Sequence, residues 1–248
     1  MAASDAEPMP EVVTEAIVVI DLVESTLTSN LFGWYAVGRQ VIRDLRALIG
    51  EVGESRGLRC LRSTGDGYLL TFHDPQSAER AALRAVEAVF ELLNRVARRN
   101  REVPEERALN LRCAVHLGEV DIVSNDREGP HISLAFRLEE ISRASLPAAL
   151  NPIPPEQFPL QNYVLCSEEV AGILSRRASP WEMVSIGLLK LKGFPGWREV
   201  FRVLPEEHPA DLGRGIRGFI GLPRDSLLTR RDVGDSDGRL RCGYRHRH

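Results

Sequence analysis

The 248-residue sequence is poor in several things. Four cysteines, Cys60, Cys113, Cys166 and Cys242, lie far apart with no C-x-x-C, which argues against a disulfide framework, a zinc knuckle or a dithiol redox motif. Reduced thiols are the expectation, with Cys60 and Cys113 as small core residues of apolar strands. No apolar run approaches the roughly 20 residues of a membrane span. The opening stretch, MAASDAEPMPEVVTEA, has no basic segment followed by an apolar one, so no secretory leader is expected and the cytoplasm is the predicted compartment. Charge of one sign is also missing. Lys and Arg number 32 against 35 Asp and Glu, a net charge of −3, so neither nucleic acid nor an acidic membrane is expected as partner. Only three tryptophans occur, Trp34, Trp181 and Trp197, and each is read as a packing residue.

What is present is an ordinary globular composition, 43% hydrophobic and 27% charged, enough for a core without staples. Residues 1–13 form a polar lead-in. AIVVID (16–21) reads as a strand buried on both faces and ending in a carboxylate. Residues 32–52 have helical spacing. LRCLRS (58–63), the STGDG turn (63–67) and YLLTF (68–72) make a hairpin with an aspartate at its tip. Asp74-Pro75 is expected to start a helix running to Arg99. Residues 107–123 read as a strand pair or one long strand bent at Gly118, and 131–142 as a helix. A proline-rich loop spans 146–160, followed by strand, helix and two strands over 163–204. The predicted order is β α β β α β β α β α β β. It belongs to the α+β class, a mostly antiparallel sheet flanked by helices in one domain over 14–205. The tail, 206–248, carries nine arginines against five aspartates.

Asp21 and Asp66 carry the chemistry. Each stands at a strand end, and two adjacent central strands would bring them together over one sheet edge. Paired carboxylates need a cation between them, and Mg²⁺ or Mn²⁺ takes hard oxygen ligands while keeping positions open for phosphate. The hydroxyl-rich loop after Asp21, with Ser25, Thr26, Thr28 and Ser29, would cradle phosphate oxygens. Taken singly, Asp21 reads as a turn cap and Asp66 as an Asx-turn with Gly67. His116 is expected to be a satisfied sheet residue, since no second ligand stands at metal spacing.

IDLVESTLTS, LRSTGDGYLLTF, LRCAVHLGEV, GPHISLAFRLEEIS and LKGFPGWREVFRV, in that order, resemble the class III nucleotidyl cyclase catalytic domain over roughly residues 14–204. The resemblance implies a ferredoxin-like cyclase fold and a homodimer with composite active sites acting on a nucleoside triphosphate. It implies two divalent ions per site, Mn²⁺ or Mg²⁺, held by Asp21, Asp66 and the Leu22 carbonyl. Arg137 falls on the arginine that steadies the triphosphate, and Lys192 falls near the lysine that contacts its terminal phosphates. Both would come from the partner. Ser133 replaces the asparagine that orients the ribose. Arg62 stands in for the base-reading lysine, with Asp126 as its acidic partner and Tyr35 narrowing the pocket. A donor fork beside an acceptor suits uracil but excludes no base outright; the length of Arg62 favours a smaller one.

No sensor domain is legible in these residues. With the proline-rich insertion and arginine-rich tail, this looks like the PycC-type pyrimidine cyclases of bacterial anti-phage (Pycsar) systems. Conversion of UTP to cyclic UMP, acting on a separate effector protein in antiviral defence, is therefore the expectation. An adenylate cyclase and a catalytically inactive binding module are the alternatives.

Overall fold

The computed structural model describes residues 11–23, 38–124, 126–176 and 180–205. Thr26, Tyr35, Trp34, Cys242 and the arginine-rich tail lie outside the described residues.

A long central strand organises the chain. β1 (Glu11–Leu22) carries six consecutive buried residues, Glu15 to Ile20, and pairs along both edges. Strands β2 (Leu58–Ser63) and β3 (Tyr68–Phe72) form the predicted hairpin, and β3 lies against β1. On the other side of β1 runs β4 (Leu111–Val123), one continuous strand, with the short β5 (Asp126–Glu128) folding back on its far end. Then come β6 (Tyr163–Ser167), β8 (Arg198–Pro205) and β7 (Trp181–Leu189), giving the order β2-β3-β1-β4-β6-β8-β7. Among the described strands β4 and β6 pair in parallel and the rest antiparallel. A parallel pair needs a crossover, and the chain supplies one between residues 123 and 163.

Helices cover both faces. α1 (Arg39–Gly53) buries Val41, Leu45, Ile49 and Val52, and α2 (Ala78–Asn100) buries Ala82, Val86, Val89, Leu93 and Val96. Each set repeats at three or four residues, one stripe of a helix. With α4 (Glu168–Arg176) these cover the face formed by Val18, Ile20, Leu70 and Cys113. The opposite face, with Ile17, Val19 and Leu69, carries α3 (Pro130–Glu139). Beside it pack Leu146 and Phe158 of the proline-rich segment, both fully buried. No helix among the described residues is long and apolar enough to cross a membrane.

The order of elements matches expectation, and several boundaries differ for local reasons. The helix expected at Asp74-Pro75 starts at Ala78, capped by the Ser77 hydroxyl, which accepts from the Arg80 N–H. Asp74 instead accepts from the Gln76 and Ser77 N–H groups, closing a turn before the helix, and pairs with Arg80 and Arg84. The second strand sought within 107–123 lies beyond it, at Asp126–Glu128. α3 stops at Glu139, because Ser142 opens a short 3₁₀ turn with its own capping box. The proline-rich stretch contains the 3₁₀ turns Arg143–Ala148 and Pro155–Gln157. β7 ends at Leu189, so Lys192 sits in a turn and not on the strand.

Cys60, Cys113 and Cys166 are buried free thiols, as expected. Trp181 packs, stacked on Phe90 at 4.2 Å. Trp197 does not: it is 40% exposed, with the Lys190 ammonium 4.9 Å over its ring.

Candidate active site

The pleat decides where Asp21 points. Side chains alternate along a strand. Ile17 and Val19 pack beneath α3, so Asp21 shares the α3 side at the end of β1. The register pairs Ile20 with Tyr68, which seats the 63–67 turn against the same strand end. That turn is closed by the Thr64 N–H donating to the Gly67 carbonyl at 3.0 Å. Gly67 is required there: a Cβ on it would fall 2.2 Å from the Ile20 carbonyl oxygen and 3.2 Å from the Asp21 Cα. The missing side chain lets the Asp66 turn close on Asp21. The two carboxylates feel each other, since the Asp66 charge pushes Asp21 upward.

Asp21 titrates above its ordinary range. Burial is the larger cause, opposed by Arg112 and reinforced by Asp66. Arg112 stands directly opposite Asp21 on β4, and its Nη2 donates to Asp21 Oδ2 at 2.5 Å. Its Nε lies 3.1 Å from Oε1 of Glu139, in the last turn of α3. Burial first, then the Asp21 charge, raises Glu139 to about 7, with Arg112 pulling the other way. The site therefore gathers Asp21 and Glu139 around one guanidinium, with Asp66 near enough for its charge to act on both carboxyls. That excess of negative charge on hard oxygen donors fits a divalent cation. Among the described residues no three acidic, histidine or cysteine side chains are already arranged as a metal cage.

Arg112 and Glu139 escaped the sequence reading. Arg112 alternates as any half-exposed strand residue would, and only the register to Asp21, 91 residues away, reveals its partner.

Arg62 and Asp126 do meet, at 2.6 Å between Nη1 and Oδ2. Burial works against the Asp126 charge, but the Arg62 and Arg127 hydrogen bonds hold its carboxyl below the ordinary range. Arg62 pairs with Leu69, and Leu69 with Val19, so the pair lies on the α3 face two strands from β1. Beneath it, Arg127 makes a two-pronged bond to Glu15, with contacts of 2.8 and 3.1 Å. Both are buried, and they tie the β4–β5 arm onto the sheet.

Ser133 and Arg137 stand four residues apart, one turn of α3. Ser133 is exposed, and Arg137 bonds Glu140 at 2.5 and 2.7 Å rather than either aspartate. Lys192 is exposed beyond β7, and four strand spacings, about 19 Å, separate β7 from β1. Within one chain the structure thus brings together Asp21, Leu22 and Asp66, and separately Arg62 and Asp126. It does not bring Lys192 to the aspartates. His116 is fully buried and satisfied, its ring nitrogens 2.8 Å from Ser167 Oγ and from His131 Nδ1.

No family model matches the chain. It is 35% identical over 91 residues to a protein of Rhizobium meliloti (strain 1021) described as putative adenylate cyclase 3. That match covers 37% of this chain and spans only 14% of the relative's length. Among solved structures it resembles the adenylyl cyclase CyaB from P. aeruginosa, with TM-score 0.60, 18% identity and coverage of 82% of this chain and all of that one. It resembles the guanylyl cyclase Cya2 at TM-score 0.59 and 18% identity, over 82% of this chain and 98% of the other. The guanylate cyclase domain of RhGC from Catenaria anguillulae, solved with GTP, gives 0.58 at 14% identity, over 78% and 97%. At such identities the likeness establishes the fold: an α+β sheet flanked by helices, as in adenylate and guanylate cyclase catalytic domains.

Proposed function

We propose that this chain is a nucleotidyl cyclase that converts UTP to 3′,5′-cyclic UMP and pyrophosphate in the cytoplasm. The observation that carries the cyclase reading is the seating of the Asp66 turn on the Asp21 end of β1, made possible by Gly67. Asp21, Asp66 and the Leu22 carbonyl would hold two divalent ions, Mn²⁺ or Mg²⁺, which when bound would supply charge neutralisation of the triphosphate and a lowered pKa of the ribose 3′-hydroxyl.

The chain's own residues do the rest. Arg137 and Lys192 of one protomer hold the phosphates over the aspartates of its partner, and Ser133 hydrogen-bonds the ribose. This division between subunits agrees with the outward position of Ser133 and Arg137 and with the distance of β7 from β1. The 3′-oxygen forms a bond to the α-phosphorus as the α–β bridging P–O bond breaks. The hydroxyl proton passes to solvent, and Arg137 stabilises the charge that develops on the departing pyrophosphate.

Arg62 donates to uracil O4 while Asp126 accepts from N3–H, and their existing ion pair presets both groups for that edge. The cyclic product then acts on a separate effector protein in anti-phage defence. An adenylate cyclase is the second reading, favoured by the relative described as a putative adenylate cyclase.

The test is incubation of the purified protein with each of the four NTPs and Mn²⁺, with cyclic products resolved by chromatography. Cyclic UMP as main product supports the uridylate reading, and cyclic AMP the second. No cyclic product from any NTP, with a dimer intact, identifies a binding module instead. Asp21→Ala or Asp66→Ala should abolish turnover without loss of the fold, and full activity in either rejects the cation role.

A further inference from the structure

Arg112 sits between two competing carboxylates. It donates from Nη2 to Asp21 Oδ2 at 2.5 Å. Its Nε lies 3.1 Å from Glu139 Oε1, yet both of those atoms are buried and neither makes a hydrogen bond. The guanidinium is bonded to one carboxylate and in mere charge contact with the other. Glu139 is also the more enclosed of the two, its side chain 9% exposed against 19% for Asp21.

A guanidinium has a planar fork of five donors, so a small reorientation would give Glu139 a formed bond at the expense of Asp21. For this half-exposed guanidinium, losing Asp21, its hydrogen-bonded partner among the described residues, would be costly without a replacement. Here the second partner already waits at contact distance.

We infer that Arg112 is an exchangeable counter-cation, which neutralises Asp21 while no divalent cation is bound there and is handed to Glu139 when one arrives. Arg112 and Glu139 are then positioning residues that set the affinity of the Asp21–Asp66 pair for its cation. The inference rests on the reading that these aspartates hold one. Charge balance follows the exchange. Before it, Asp21 and Glu139 share one guanidinium; after it, Arg112 and Glu139 form a neutral pair and Asp21 is released to the cation beside Asp66. Without Glu139, the incoming cation would compete with Arg112 for the same Asp21 oxygen and leave a stranded charge behind.

The experiment titrates Mn²⁺ into the nucleotide-free protein and reads free Mn²⁺ by electron paramagnetic resonance, with thermal unfolding as the check on each fold. Glu139→Gln removes the receiving charge and should weaken Mn²⁺ binding by about threefold or more. The double variant R112M/E139L removes the competing cation together with its acceptor, in similar volume, and should tighten binding by about threefold or more. A purely structural pair would move both variants in the same direction or in neither, and either result overturns the inference. Asp21→Asn separates the two levels. If it binds Mn²⁺ like the parent chain, the cation reading itself fails and the exchange falls with it. If it loses Mn²⁺ while the other two variants behave alike, only the exchange fails.

Discussion

Acid should unfold this protein through His116. The ring is fully buried on the α3 face of the sheet, 2.8 Å from Ser167 Oγ and from His131 Nδ1. Burial lowers it from 6.5 to about 4; Glu169 acts the other way, and His131 and Arg198 add to the lowering. An unfolded chain protonates this histidine near its ordinary value, while the folded one resists until far lower pH. The stabilisation is therefore complete above pH 6.5 and is lost as pH falls towards 4. A shift of that size is worth about 3 kcal/mol, a sizeable share of the 5–15 kcal/mol that holds a domain together. His116→Asn keeps an amide able to bond Ser167 or His131 but cannot titrate. Urea unfolding of both proteins at steps from pH 7.5 to 4.5 should show the parent losing about 2 to 3 kcal/mol more than the variant. Carboxylates remote from His116, unlike Glu169 at 3.5 Å, titrate alike in both and cancel in the difference. Parallel losses across that window would refute the burial argument.

Glu139 should act in the opposite sense. Its level, raised to about 7, means that the stability it contributes is present below the ordinary carboxylate range and lost as pH rises through 7; Glu139→Gln should flatten that part of the profile in urea unfolding. Gly67→Ala would put a methyl 2.2 Å from the Ile20 carbonyl, so the Asp66 turn must lift; the proposed cyclase turnover should fall at least tenfold, about 1.4 kcal/mol of barrier, while circular dichroism stays unchanged. Glu15→Gln strands the buried Arg127 and should cost about 3 kcal/mol in urea unfolding, with earlier proteolytic cleavage of the β4–β5 arm. Arg62→Ala and Asp126→Asn break a half-exposed pair, so stability should change by less than about 1 kcal/mol while the preference among the four NTPs broadens.

Much of this arrangement is legible in the residues because it is local. The AIVVID run, the STGDG turn and YLLTF each carry their own conformational signal, and two strands joined by one tight turn leave little choice of partner. Asp74-Pro75 misleads because an Asx-turn and a helix cap use the same chemistry, and only the free Ser77 hydroxyl three residues on decides between them. β5 is three residues long, too short for any periodicity to show. Arg112 and Glu139 are hidden for another reason. Their meaning lies in register and in the crossing of α3 over the sheet, which depend on the whole assembly of strands. Gly118 shows the same dependence: its missing Cβ leaves the space that the His131 ring fills, and a methyl there would stand 2.2 Å from the ring.

The uneven anchoring of β1 and α3 has a mechanical consequence. β1 is laced to neighbours on both sides, twelve residues against β4 and five against β3, so its amide protons should be among the slowest in the molecule to exchange with deuterium. Ser133 and Arg137 instead ride on a ten-residue helix that rests on the sheet through side chains. One half of any shared catalytic centre is thus a stiff anvil and the other a part that can be shifted by whatever presses on it. A signal that slides α3 by a fraction of a turn would displace Ser133 and Arg137 while leaving the acidic floor at the end of β1 untouched.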